Sequence, residues 1–214
     1  MSRTLPTSMW CRSALVALVL VCPVASIASA QVALPPYLEL RVPKAPTVGM
    51  ADSGAFLTYE LHVTNFSAQP MTLTRVDVLS DDAGRRVLFT LADSALTQSM
   101  SRPGPQIQPA DRPKLAGGAR GVVFLWIPVD ARTVPTSLRD RVTVEQGSGD
   151  SVRAQQLEGA SVPIARMGAP IGPPLRGGPW LAGNGPSARS GHRRSLIPIG
   201  GVPSIAQRFA IDYV

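Results

Sequence analysis

The chain has 214 residues, with 21 Lys+Arg against 14 Asp+Glu and a formal net charge of +7. That excess is local: residues 31–158 carry 13 basic and 13 acidic side chains, whereas after residue 158 six arginines (positions 166, 176, 189, 193, 194 and 208) face Asp212 alone. A neutral body with 5% aromatic residues in the whole chain offers no basic face interleaved with stacking rings, so nucleic acid is not an expected partner.

Residues 1–30 have the build of a secretory signal peptide. Arg3 and Arg12 give a basic start, residues 14–22 a short apolar core, and Ala28-Ser29-Ala30 a small-x-small cleavage site. The apolar run is broken by Pro23 and falls short of the ~20 residues that a membrane span needs. Val21 before Cys22 argues against a lipid anchor. The expectation is export, to the periplasm or outside the cell, with no membrane span left after cleavage. Both cysteines, Cys11 and Cys22, fall inside the signal, so the mature chain has no disulfide to rely on and must hold its core by burial alone.

Strand signals then follow one another. Residues 37–42 alternate Tyr37, Glu39, Arg41 with Leu38, Leu40, Val42. Residues 56–65 do so more clearly, with Leu57, Tyr59, Leu61 and Val63 on one face and Thr58, Glu60, His62 and Thr64 on the other. Asn65-Phe66-Ser67 has the form of a glycosylation acceptor and is read as part of a turn. Residues 71–80 form the next strand, and Asp81-Asp82-Ala83-Gly84 a turn in which Gly84 is free to take positive φ. Residues 86–91 continue the pattern. A proline-containing crossing over residues 92–118 is expected to be irregular. Residues 121–129 (GVVFLWIPV) are the most apolar run and read as a central buried strand with Trp126 in the core. Residues 138–145 and 152–163 complete about seven short strands, and helical periodicity is absent outside the signal. The fold class is therefore all-β. The strand count and turn spacing fit an immunoglobulin-like β-sandwich over residues 31–165, and the run from Leu61 to Leu73 resembles the second and third strands of bacterial Ig-like modules.

From residue 167 to 187, 11 of 21 residues are Gly or Pro, which marks residues 166–190 as a linker that lies extended, with Trp180 as its expected anchor. Residues 191–214 then carry Gly191-His192-Arg193, Pro198-Ile199-Gly200-Gly201 and Arg208-Phe209-Ala210-Ile211-Asp212. These motifs resemble the entry to a lysostaphin-like zinc metallopeptidase domain, of the family of secreted endopeptidases that cut peptidoglycan cross-bridges. The resemblance covers less than a fifth of the chain. It implies that residues 205–214 form a first strand, that Asp212 is a zinc ligand, and that Arg208 stands where the family has its first His. His192 could replace that ligand. The family's His-x-His motif would lie beyond Val214.

No phosphate loop, dinucleotide fingerprint, nucleophile elbow or cysteine nucleophile is present in the mature sequence, so no catalytic residue is assigned. His62 lies on the polar face of its strand and reads as solvated. His192 and Asp212 are the candidate metal ligands, in a complete protein. Two ligands fall short of the three a catalytic zinc requires, and Arg208 beside them would repel the ion, so this chain itself is expected to bind zinc weakly or not at all; with its domain partners missing, residues 167–214 are expected to be mobile. The implied function is that of an exported, non-catalytic part of a lysostaphin-like metallopeptidase, with zinc as cofactor of the complete family protein and a cell-wall polymer or peptide as partner. The alternative is a free-standing secreted Ig-like binding module with a basic tail.

Overall fold

Described in the computed structural model are Met1 and residues 35–51, 54–165, 172, 174–185 and 187–214; the expected signal, its cleavage site and both cysteines lie outside the described residues. Two antiparallel sheets face each other. In the first, β3 (Gly54–Asn65) is the centre: β8 (Arg120–Val129) pairs along one side, while β1 (Leu38–Arg41) and β2 (Thr47–Ala51) share the other. In the second, β4 (Met71–Ser80) lies between β5 (Val87–Ala92) and β9 (Ser137–Gln146), and β10 (Arg153–Glu158) extends the sheet beyond β9. Short strands finish the edges: β6 (Met100–Ser101) on β8, β7 (Lys114–Leu115) on β4, and β11 (Val162–Pro163) on β9. The all-β sandwich expected from the alternation is the fold observed.

Period-two alternation sets the core. Leu57, Tyr59, Leu61 and Val63 of β3 meet Val123, Leu125 and Ile127 of β8 on the inner face. Val76 and Val78 of β4 and Leu138, Val142 and Val144 of β9 close it from the other sheet. Register places Trp126 opposite Thr58, on the outer face of β8, where it is partly buried and its ring lies 5.3 Å from that of Phe56. Trp126 is therefore not the core residue its apolar run suggested. Because side chains alternate across a strand, Val123, Leu125 and Ile127 fill the core and Trp126 stands one position out of phase.

One polar contact crosses the core: the Tyr59 hydroxyl donates to Asp140 Oδ1 at 2.7 Å, joining β3 to β9. Burial pushes the Asp140 carboxyl up to about 7, partly offset by the Tyr59 hydrogen bond. Burial, then the Asp140 charge, raises Tyr59 well above its ordinary value.

The turns follow the sequence reading with one difference. Asn65 Oδ1 accepts from the Ser67 backbone N–H at 2.9 Å and its amide donates to Gln69 O and Leu115 O, so Asn65-Phe66-Ser67 is indeed a turn. After β4 the left-handed residue is Arg85 (φ 42), not Gly84: Asp82 Oδ1 accepts from the Gly84 N–H and fixes the turn one residue earlier. Elements were also missed. β2 is a distinct strand in the stretch after Arg41, and the crossing holds a one-to-two-turn helix, α1 (Asp93–Ser99), whose Leu96 enters the core. No helix among the described residues is long and apolar enough to cross a membrane.

Two outcomes can be checked by denaturation. Leu125→Ala should lower stability by about 2–5 kcal/mol, the range for a fully buried Leu, and Trp126→Ala by visibly less. The reverse order of midpoints would contradict the assigned face. Asp140 takes up its proton more readily folded than unfolded, so its contribution is full below about 3.8 and is lost as pH rises to about 7. Stability curves of the parent chain and Asp140→Asn should therefore differ in slope across that window and run parallel above it.

Candidate functional site

The polar face of β3 looks away from the core, yet Thr58, Glu60, His62 and Thr64 are all buried. Thr58 and Thr64 bond within the sheet, to Thr47 O and to Glu39 and Arg120, whereas Glu60 is covered by Arg193 and Arg208 from the C-terminal part of the chain. Ile205 and Leu196 pack on Val122 and Phe124 of the outer face of β8 and form a second, smaller apolar cluster. Residues 187–214 are thus a layer on the first sheet and not the mobile tail expected from the absence of domain partners.

Local chemistry explains how this layer folds. Asn184 ends β12 (Ala182–Asn184), and its Oδ1 accepts from Gly185 N–H at 3.0 Å and Ser190 Oγ at 3.2 Å. Ser190 in turn caps α2 (Gly191–Arg194), its hydroxyl accepting from the His192 backbone N–H at 3.1 Å. Then β13 (Ile197–Ile199) and β14 (Val202–Ser204) form a hairpin whose turn residues, Gly200 and Gly201, take φ of 56° and 78°. Two successive positive φ values define a type I′ turn, which glycine makes at no steric cost. Residues 205–214 are not one strand. Turns occupy residues 206–209, and only β15 (Asp212–Tyr213) is extended, pairing with β12 so that Asn184 lies beside Asp212.

The single turn of α2 sends consecutive side chains in different directions. Arg193 points inward and is 0% exposed. It forms an ion pair with Glu60, and its Nη2 donates to Tyr59 O at 2.9 Å and Leu125 O at 3.1 Å, bridging the two central strands. Its guanidinium also lies 5.7 Å from the Phe124 ring centroid, and that of Arg194 5.2 Å. Arg208 reaches the same carboxylate from the other segment and pairs with Glu60 Oε2. Burial first, then nearby Arg208 and Arg194, weakens Arg193's hold on its proton, and burial does the same to Arg208. Glu60 is the carboxylate that both guanidiniums pair with in this layer.

His192 and Asp212, the candidate metal ligands, are brought together. His192 Nε2 lies 3.3 Å from Asp212 Oδ2, and His192 Nδ1 lies 3.4 Å from Ala210 O. The Asp212 side chain is 56% exposed and that of His192 13%. A carbonyl oxygen can only accept, so the Ala210 contact places the proton of a neutral imidazole on Nδ1. Nε2 then presents a lone pair toward a carboxylate, and a proton or metal ion between them satisfies both. Among the described residues, no group of three His, Cys, Asp or Glu stands close enough to hold a metal ion. A cleft of about 520 Å³, lined by Ala210 but by neither His192 nor Asp212, opens between Arg41 and Lys44 on one wall and Ile205 and Phe209 on the other.

Three expectations need correction. His62 is 2% exposed, because the C-terminal layer lies over the face that alternation alone would leave wet. Burial, then Arg120 and Arg41, lowers it to about 4. Arg208 does not stand free beside the metal candidates; its charge is turned inward onto Glu60. Trp180 remains 50% exposed and does not anchor the linker. The Glu60–Arg193–Arg208 cluster itself was not read from the sequence. Its one signal was a glutamate midway along a strand that also carries five apolar residues. Compared with known proteins, the chain matches no protein-family model and no curated sequence.

The buried imidazole has a pH consequence. His62 holds its proton less readily folded than unfolded, so its contribution is present above about 6.5 and lost as pH falls through about 4. His62→Gln should flatten the loss of stability across that window, measured as denaturation midpoint against pH.

Proposed function

We propose that this chain is the exported, non-catalytic part of a lysostaphin-like zinc metallopeptidase, in which an immunoglobulin-like sandwich carries the first portion of the metal-binding layer. The single observation behind this reading is the convergence of His192 and Asp212. They are separated by the β13–β14 hairpin and the turns after it, yet their donor atoms lie 3.3 Å apart. Two ligands at ~2.0–2.1 Å from a tetrahedral zinc ion would be roughly 3.3–3.5 Å apart, so imidazole and carboxylate have the type and spacing zinc would use. When bound, zinc would polarise a peptide carbonyl and lower the pKa of a water molecule. His192 and Asp212 would hold the ion, the Ala210 carbonyl would fix the His192 tautomer, and Glu60 would draw the Arg208 charge away from it.

The sequence holds two histidines, and the other, His62, is buried beneath the layer. The chain as it stands therefore supplies too few ligands for catalysis, and hydrolysis of peptides by it is not expected. A cell-wall peptide is the substrate class the resemblance implies, and the neighbouring cleft is of a size for a short segment of one. The alternative, a free-standing secreted Ig-like binding module with a basic tail, draws less support. Arg189, Arg193, Arg194 and Arg208 are all engaged internally: Arg189 with Gln98 Oε1, Arg194 with Gln98 O and Ala188 O, and the other two with Glu60.

Isothermal titration with zinc chloride tests the proposal. One weak site is expected, lost in both His192→Ala and Asp212→Ala. Zinc binding that survives both substitutions, or no binding at millimolar metal, would remove the metallopeptidase reading.

A further inference from the structure

We infer that Glu60, a residue of the sandwich, is the positioning residue that assembles the His192–Asp212 pair, so that the sandwich is an integral part of the site and not a tethered module. The functional meaning of the pair rests on the reading above; the anchoring itself rests on geometry alone.

The two candidate ligands lie on separate chain segments, and each segment is pinned to the same carboxylate. Arg193 follows His192 directly on the single turn of α2, and its guanidinium meets Glu60 and the carbonyls of Tyr59 and Leu125. Arg208 precedes Asp212 by one tight turn, held by the Arg208 N–H to Ile205 O and Ala210 N–H to Gln207 O bonds, and meets the other side of Glu60. Ala210 O, which contacts His192 Nδ1, belongs to this second segment. Fixing the two arginines therefore fixes both edges of the pair and the tautomer between them.

The apolar contacts here are few. Among the described residues the smaller cluster consists of Val122, Phe124 and Ile205 with Leu196 against it, and Ile197, Ile199, Val202, Phe209, Ile211 and Tyr213 of the layer all remain exposed. Burial of this size cannot by itself hold some twenty-eight ordered residues (187–214) in register. The paired charges also give direction that apolar packing lacks. Removing the single carboxylate would leave two buried guanidiniums uncompensated, the most costly way to disturb such a cluster.

Site-resolved hydrogen exchange on the full chain tests the inference, with Glu60→Gln as a change of charge at nearly constant shape. Exchange in residues 187–196 and 205–214 should quicken by on the order of a hundredfold or more, while β4 and β9 in the opposite sheet keep their protection. Glu60→Asp should restore part of it, which a space-filling role would not predict. The ring-nitrogen NMR signals of His192 should lose the signature of a contact at both nitrogens in Glu60→Gln and regain it in part in Glu60→Asp. Unchanged protection and unchanged ring signals in Glu60→Gln would overturn the inference. Should Glu60→Gln unfold the whole chain, Arg208→Gln decides: quickened exchange confined to residues 205–214 supports the anchor, and none overturns it. Zinc titration of the same proteins separates the two proposals. If the parent chain binds no zinc but the exchange pattern holds, the metallopeptidase reading falls and the anchor stands. If zinc binds parent and Glu60→Gln equally well, the anchor falls and the metal reading stands.

Discussion

A strand buried on both faces needs two different layers to cover it, and β3 is such a strand. Its inner side chains are apolar and meet the second sheet. Its outer ones are Thr58, Glu60, His62 and Thr64, which apolar packing alone could cover only at a large desolvation cost. The chain meets that constraint by returning its arginines to the carboxylate. Arg193 of α2 and Arg208 of the turn before β15 both pair with Glu60, and His192 and Asp212 meet on those same two segments.

The sandwich was legible because alternation is a local signal. Strands β3, β4, β5, β8 and β9 fall close to where the apolar and polar positions trade places, and the turn at Asn65-Phe66-Ser67 behaves as its residue types require. Errors arose where alternation was silent about which face is wet. Trp126 belongs to a run apolar at nearly every position, so period two gave no phase, and the register with β3 decided it. His62 was assigned to water because nothing in strand periodicity reports a third layer. α1 was missed for a related reason: seven residues with a single buried side chain, Leu96, leave too short a stripe to read.

The candidate site divides in the same way. His192 and Asp212 were recognisable as residue types in motifs, but their contact depends on a hairpin, two turns and a two-residue ladder whose closure no spacing rule provides. The charge count of the tail says nothing of where those charges are paired. Of the six arginines set against one acid, Arg193 and Arg208 face Glu60, an acid counted in the neutral body. Net charge assigned by segment cannot register a partner on another segment.

The β13–β14 hairpin carries one more consequence, for how the protein behaves at high concentration. Ile197, Ile199 and Val202 stand about half exposed on a two-stranded ribbon, a composition that invites edge-to-edge pairing with other chains. Pro198 lies directly opposite Pro203 in that ribbon. Neither has an N–H to offer an incoming strand, so the ladder cannot be continued outward through its middle rung. The sticky aliphatic face and the blunted backbone are built from the same six residues, and the prolines let the hairpin keep its apolar surface without becoming a template for fibrils.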